Sequence, residues 1–216
     1  MSVATDVKRG MTRRQEKAEA TRQRVLDAAL DLFLAEGYTT ATIAAIADAA
    51  DVAVQTVYAV FGNKKAILDA LRARAVTGEG GGPLRQRPDW QAMERERDPR
   101  QQLRLLATIA TGIGATMGPL YEVMTGAAAS DPEIADTFRR QQQARHDDQR
   151  HVAQALARRG ALREGLTAKD ATDVMWVIAS PSTYNNLVGE RGWSRDKYEQ
   201  WLGDTLIAAL LATVTA

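Results

Sequence analysis

"AEGYTTATIAAIADAADVAVQTVYAVFGNKKAIL" spans residues 35–68. It holds two short apolar-periodic segments separated by a few residues. Ile43, Ile46, Ala47 and Ala50 keep helical register after Thr42, and Val54, Val57 and Phe61 keep it again over roughly 54–61. Gly37 stops the helix before them, residues 17–36, which carries Val25, Ala28, Ala29, Leu32 and Phe33 on one face. Asn63 stands where it can cap a further helix running to about Thr77.

The 54–61 segment has an unusual outer side. With Val57 at the centre of the buried face and about 100° per residue, Phe61 and Val54 fall beside it. Gln55 and Ala59 then point the opposite way, with Thr56 and Tyr58 on the two flanks. A ridge of this form fits a B-DNA major groove, its crest near base edges and its shoulders near the phosphates of each wall. Lys64 and Lys65 follow in the first turn of the next helix, where the macrodipole disfavours a cation by about 0.3–1 kcal/mol. A nearby phosphate reverses that sign, and the free N–H groups of the helix end favour the same anion. Hydroxyls that simply meet water are the plainer account of the same pattern.

Charge adds a second pointer. The formal net charge is +1, so the total names no partner. Up to Arg24, however, Lys8, Arg9, Arg13, Arg14, Lys17, Arg22 and Arg24 face only Asp6, Glu16 and Glu19. Residues 1–16 read as a basic arm, either a solvated tail or a source of added phosphate or minor-groove contacts. Without cysteine there is no disulfide framework, thiolate metal site or cysteine nucleophile. The start of the chain has no secretory apolar core, and "LIAALLATV" (206–214) is too short to cross a bilayer. The expectation is a cytoplasmic protein with no membrane partner.

Helical patterns continue to the end. "GEGGGP" (78–83) follows no strand and has Pro83 where a third glycine would stand, so it reads as a linker and not a dinucleotide loop. Residues 84–99 are mostly polar, with Trp90 and Met93 among the few large apolar groups. Residues 100–117 carry Leu103, Leu106, Ala110, Ile113 and Met117 on one face, beside a stripe of Ala107, Thr111, Gly114 and Gly118 that admits a close neighbour. "SDPE" (130–133) predicts a capping box of Ser130 and Glu133 opening a helix that Gly160 ends. Thr167 starts another, stopped by Pro181, and Ser194 caps the last, with Trp193 and Tyr198 spaced as a hydrophobic staple.

Residues 35–68 resemble the helix-turn-helix segment of the TetR family of bacterial transcription regulators. The matching features are Gly37-Tyr38, Thr42, Ile46-Ala47, Val52, Thr56-Val57-Tyr58, Phe61 and Lys64. The resemblance implies an all-α chain: a three-helix helix-turn-helix domain over 17–77, its motif at about 42–61, joined to a larger C-terminal bundle over 84–216. It places Thr42, Thr56, Tyr58 and Lys64 on phosphates, and Gln55 and Ala59 on the bases. It also makes the larger block a domain for effector binding and dimerisation. "SPSTYNNLVGERGWSRDKYEQWL" (180–202) resembles, more loosely, effector domains of actinobacterial-type members. Three positions depart from the pattern: Asp51 stands where glycine is usual, Ala53 where a Ser or Thr cap is frequent, and Val60 where histidine is frequent.

The expected partners are therefore a pseudo-palindromic double-stranded operator, a second copy of the chain, and an apolar or aromatic small-molecule effector. Pocket candidates are Met93, Met117, Tyr121, Met124, Trp176 and Tyr184, with Gly112, Gly114 and Gly118 leaving room; plain core is the alternative for each. Broad apolar coverage marks Val174, Ile178, Leu202, Leu206 and Leu210 as dimer-interface candidates, with packing inside one chain as the alternative. His146 and His151 in "HDDQRH" (146–151) turn to different helix faces, so no metal site and no cofactor is expected. No nucleophile–base pair suggests catalysis, which leaves a helical enzyme, or an interaction module that has lost operator binding, as the competing readings.

Overall fold

The computed structural model describes residues 13–77 and 83–212, and among them there are helices, turns and one isolated antiparallel bridge between Leu162 and Leu211. The first twelve residues of the basic arm and most of the 78–83 linker lie outside the described residues. Packing divides the chain into two units, Met1–Leu71 and Arg72–Ala216.

The first unit contains α1 (Arg13–Glu36), α2 (Ile43–Ala49), α3 (Val54–Phe61) and the opening turns of α4 (Lys64–Thr77). α1 begins four residues before the periodicity does, so Arg13 and Arg14 of the arm are helical. Val25, Ala29 and Phe33, spaced by four, are buried on its inner face with Leu26. Ile46, Ala47, Val57, Phe61, Ile67, Leu68 and Leu71 complete this core. Complete burial of an aliphatic side chain of this size contributes about 1.5–3 kcal/mol.

Each junction has a physical cause. Gly37 leaves α1 at φ +82°, and Thr42 caps α2 by accepting from the Ala45 amide at 3.1 Å. α2 closes in a Schellman motif: the Val52 amide donates to the Ala47 carbonyl at 3.0 Å and the Asp51 amide to the Asp48 carbonyl at 3.0 Å. Asp51 occupies the left-handed position of that motif, at φ +51°. Gly62 ends α3 at φ +78°, and the Asn63 side chain caps α4 by accepting from the Ala66 amide at 2.8 Å.

The second unit is a bundle around α6 (Pro99–Ser130), with α5 (Pro88–Arg95), α7 (Pro132–Arg158), α8 (Ala168–Ile178), α9 (Pro181–Tyr184) and α10 (Arg195–Leu210). Four of these six open on proline, whose fixed φ and absent N–H suit the first helical position. α6 packs against α5, α7, α9 and α10, and Leu103, Leu106, Met175, Tyr198 and Leu202 lie in the shared core. By length and composition alone α6 could span a bilayer, but half of its most apolar window is buried against these neighbours.

Several boundaries differ from the sequence expectation. Residues 88–95 form a helix, its Trp90 and Met93 buried in the core, where a polar segment is expected. Asp131, not Ser130, caps α7, accepting from the Glu133 and Ile134 amides at 2.9 and 3.2 Å, while Ser130 still belongs to α6. Pro181 ends α8 but also begins α9, which runs into a π-helical segment at Asn185–Glu190.

Candidate nucleic-acid interface and cavity

In the first unit α2 and α3 meet at a bend of 108°, within the roughly 90–120° of a helix-turn-helix. Val57 is fully buried and Phe61 nearly so, which fixes the roll of α3 about its axis. Gln55 and Ala59 are consequently exposed, Tyr58 is 52% exposed, and Thr56 is half-buried. Val60 is also exposed on this side. Ala53 offers α3 no side-chain cap. Thr42 is exposed; its oxygen is used as the α2 cap, which leaves its hydroxyl proton as a donor.

The two lysines have partners inside the unit. Lys64 donates to the carbonyls of Tyr38 at 2.7 Å, Ala41 at 2.8 Å and Thr39 at 3.3 Å, and partial burial lowers its pKa from the ordinary lysine value. Lys65 pairs with Asp69 at 2.9 Å, one turn along α4. Local acceptors therefore offset the unfavourable placement of both cations at a helix start. A phosphate is not required for that balance.

Residues 25–71, which hold this whole arrangement, match the family model for bacterial regulatory proteins of the tetR family. The 25–71 segment is thus of the TetR helix-turn-helix type. Solved structures share the fold over about nine-tenths of the chain. NalD of Pseudomonas aeruginosa, the secondary repressor of the MexAB-OprM multidrug efflux pump, is 23% identical, with 91% of this chain and 98% of that one covered and a TM-score of 0.67. SmeT, the repressor of the Stenotrophomonas maltophilia multidrug efflux pump SmeDEF, is 20% identical, with 91% and 93% covered and a TM-score of 0.64. A putative transcriptional regulator from Saccharomonospora viridis, solved in complex with choline, is 20% identical, with 90% and 100% covered and a TM-score of 0.69. No curated protein sequence matches this chain significantly.

The second unit contains a cavity of about 440 Å³ among α4, α6, α7 and α9. Of the sequence candidates, Met117 and Tyr121 line it. Met93 and Met124 are buried core and do not line it. Tyr184 packs on Tyr198 with ring centres 4.9 Å apart, and fills the space over Gly114 and Gly118, where an added Cβ would lie 2.7 and 3.2 Å from its ring. The glycines therefore admit Tyr184 and not a ligand.

Trp176 acts beside the cavity. Its carbonyl accepts from the Arg145 guanidinium at 2.8 Å, and its ring centre lies 4.7 Å from the Arg145 Cζ. Arg145 lines the cavity, and burial lowers its pKa to about 10, which leaves it charged at neutral pH. Phe138, Gln142 and Arg145 on α7 are lining residues that the sequence reading missed. A signal was present: Ile134, Phe138, Arg145, Gln149, Val152 and Leu156 follow one another at spacings of four, seven, four, three and four.

The dimer candidates differ in exposure within the single chain. Leu202, Leu206 and Leu210 are fully buried by packing within this one chain, so they present nothing to a partner. Val174 and Ile178 are partly buried against the same core, and Val177 between them is 58% exposed. His146 faces Asp173 at 3.1 Å and His151 faces Glu94 at 3.1 Å, so the two histidines serve different helix pairs.

Proposed function

We propose that this protein is a homodimeric transcription regulator that places α3 of each subunit in the major groove of one half of a pseudo-palindromic operator. The carrying observation is the roll of α3: Val57 and Phe61 are inward, Gln55, Tyr58 and Ala59 are outward, and Thr42 at the start of α2 is exposed as well. In this reading Gln55 and Ala59 meet base edges, and Thr42, Thr56 and Tyr58 hold phosphates. Lys64 reaches a phosphate only by releasing a carbonyl of the 38–41 turn.

The cavity of the second unit is the effector site in this reading. A ligand changes operator affinity only through different affinities for the DNA-bound and free conformations. Repression, relieved by the effector, is the sign of regulation we propose, in keeping with the two efflux-pump repressors that share the fold. Acting on chromosomal DNA, the protein would work in the cytoplasm.

The test is selection of bound sequences from a random double-stranded pool, repeated with candidate small molecules. The expected outcome is an inverted repeat with half-sites about one helical turn apart or slightly more. Recovery of no enriched sequence at low ionic strength would leave only an interaction module built on the same helices.

A further inference from the structure

We infer that the cavity binds a small molecule with an apolar body and a carboxylate end, and that Arg145 receives the carboxylate. The inference rests on the reading of this cavity as the effector site, and it names the chemical class of the effector.

Arg145 is a mostly buried cation held only by neutral groups: the Trp176 carbonyl at 2.8 Å, the Trp176 ring, and the Gln142 side-chain oxygen at 3.4 Å. Among the described residues no carboxylate forms an ion pair with it. A guanidinium has five N–H donors, and these contacts use two. A buried charge is costly unless paired, so a site that keeps one without a counter-ion is arranged for an anion that arrives later. Asp148 lines the same cavity, but Arg85 already takes its carboxylate at 2.8 Å.

The neighbouring groups extend this donor wall. Gln142 donates to the Tyr121 hydroxyl oxygen at 2.6 Å while its carbonyl faces Arg145. The amide orientation is thereby set from both sides, and the Tyr121 hydroxyl proton has no acceptor among the described residues. Arg72 and Arg140 add two further cations to the lining. Val76, Ile113, Met117 and Phe138 supply an apolar surface. A bidentate guanidinium–carboxylate pair at one end and dispersion contacts along the rest is the chemistry that this lining selects.

The experiment measures calorimetric binding of two isosteric triads to the full chain: octanoate, octanol and octylamine, and naphthylacetate, naphthylethanol and naphthylethylamine. Operator release is recorded in parallel. The acid of at least one triad is expected to bind roughly ten- to hundredfold more tightly than its alcohol, as charge-assisted hydrogen bonds provide, with the amine weakest. Arg145→Gln should remove that preference while changing alcohol affinity by less than about threefold, and Arg145→Lys should keep part of it. A clamp on Trp176 alone would weaken acid, alcohol and amine equally. The inference is overturned if no acid binds, if alcohol or amine binds wild type as tightly as the acid, or if Arg145→Gln keeps the acid preference. Should Arg145→Gln fail to fold, the wild-type triads decide by themselves. An acid that binds through Arg145 without releasing the operator upholds the ligand class and refutes the effector role. Release by alcohols or amines alone does the reverse.

Discussion

The Lys64 ammonium lies 2.7 Å from the Tyr38 carbonyl oxygen and 4.5 Å from the centre of the Tyr38 ring. With Thr39 and Ala41 also accepting from it, the first residue of α4 holds the connection between α1 and α2. Hydrogen bonds from a charged donor contribute about 1.5–3 kcal/mol in favourable cases, and partial exposure here places the sum near the lower end. Lys64→Met should therefore lower unfolding stability by about 1–2 kcal/mol, measured by denaturant titration. An unchanged midpoint and slope would dismiss the clamp.

Tyr58 offers the contrasting case. Its side chain is 52% exposed, so nothing in the core depends on it. Tyr58→Ala should leave stability within about 0.5 kcal/mol of wild type, as surface changes usually do. It should weaken binding to all DNA sequences alike, whereas Gln55→Ala should relax preference at one base position by about 1–3 kcal/mol. Parallel titrations on operator and scrambled duplex distinguish these effects. A Gln55 variant with unaltered preference would place the crest away from the bases.

Asp51 is the one non-glycine residue with positive φ among the described residues, at φ +51°. The left-handed region costs an L-residue roughly 1–2 kcal/mol, less for Asp, and nothing comparable for glycine. Asp51→Gly should thus raise stability by up to about 1 kcal/mol, and Asp51→Val should lower it by about 1–2 kcal/mol. Thermal unfolding of the three proteins gives the order. Valine matching aspartate would mean that the turn does not hold this geometry in solution.

Much of the first unit is legible because its signals are local. Thr42, Asn63, Gly37 and Gly62 are caps and stops whose partners lie within four residues. The buried edge of α3 follows from the spacing of Val57 and Phe61 alone. What the sequence hides depends on which elements meet. Ser130 and Asp131 are both good caps, and only Pro132 at the first helical position selects Asp131. The cavity-lining face of α7 is hard to see in sequence because it mixes Phe138 with Arg145 and Gln149, the last two having their partners in α8. Leu202, Leu206 and Leu210 look available to a second subunit until α6 covers α10. The space that Gly114 provides is visible in sequence, but its occupant is not.

That occupant is Tyr184. A Cβ built on Gly114 would lie 2.7 Å from two ring atoms of Tyr184 and 2.9 Å from its Cβ, too close to stand without a shift. Tyr184 cannot easily retreat, since its other side meets the Tyr198 ring and Gly118. Gly114→Ala should therefore destabilise the protein by about 1–3 kcal/mol, the usual result of overpacking a filled core. Gly126 lies in the same helix with nothing within 4 Å of an added Cβ. Gly126→Ala should instead stabilise by up to about 1 kcal/mol through helix propensity. Because both substitutions add one methyl to α6, their opposite signs in denaturant unfolding would isolate the Tyr184 contact. Equal effects would show that α9 yields to the methyl group.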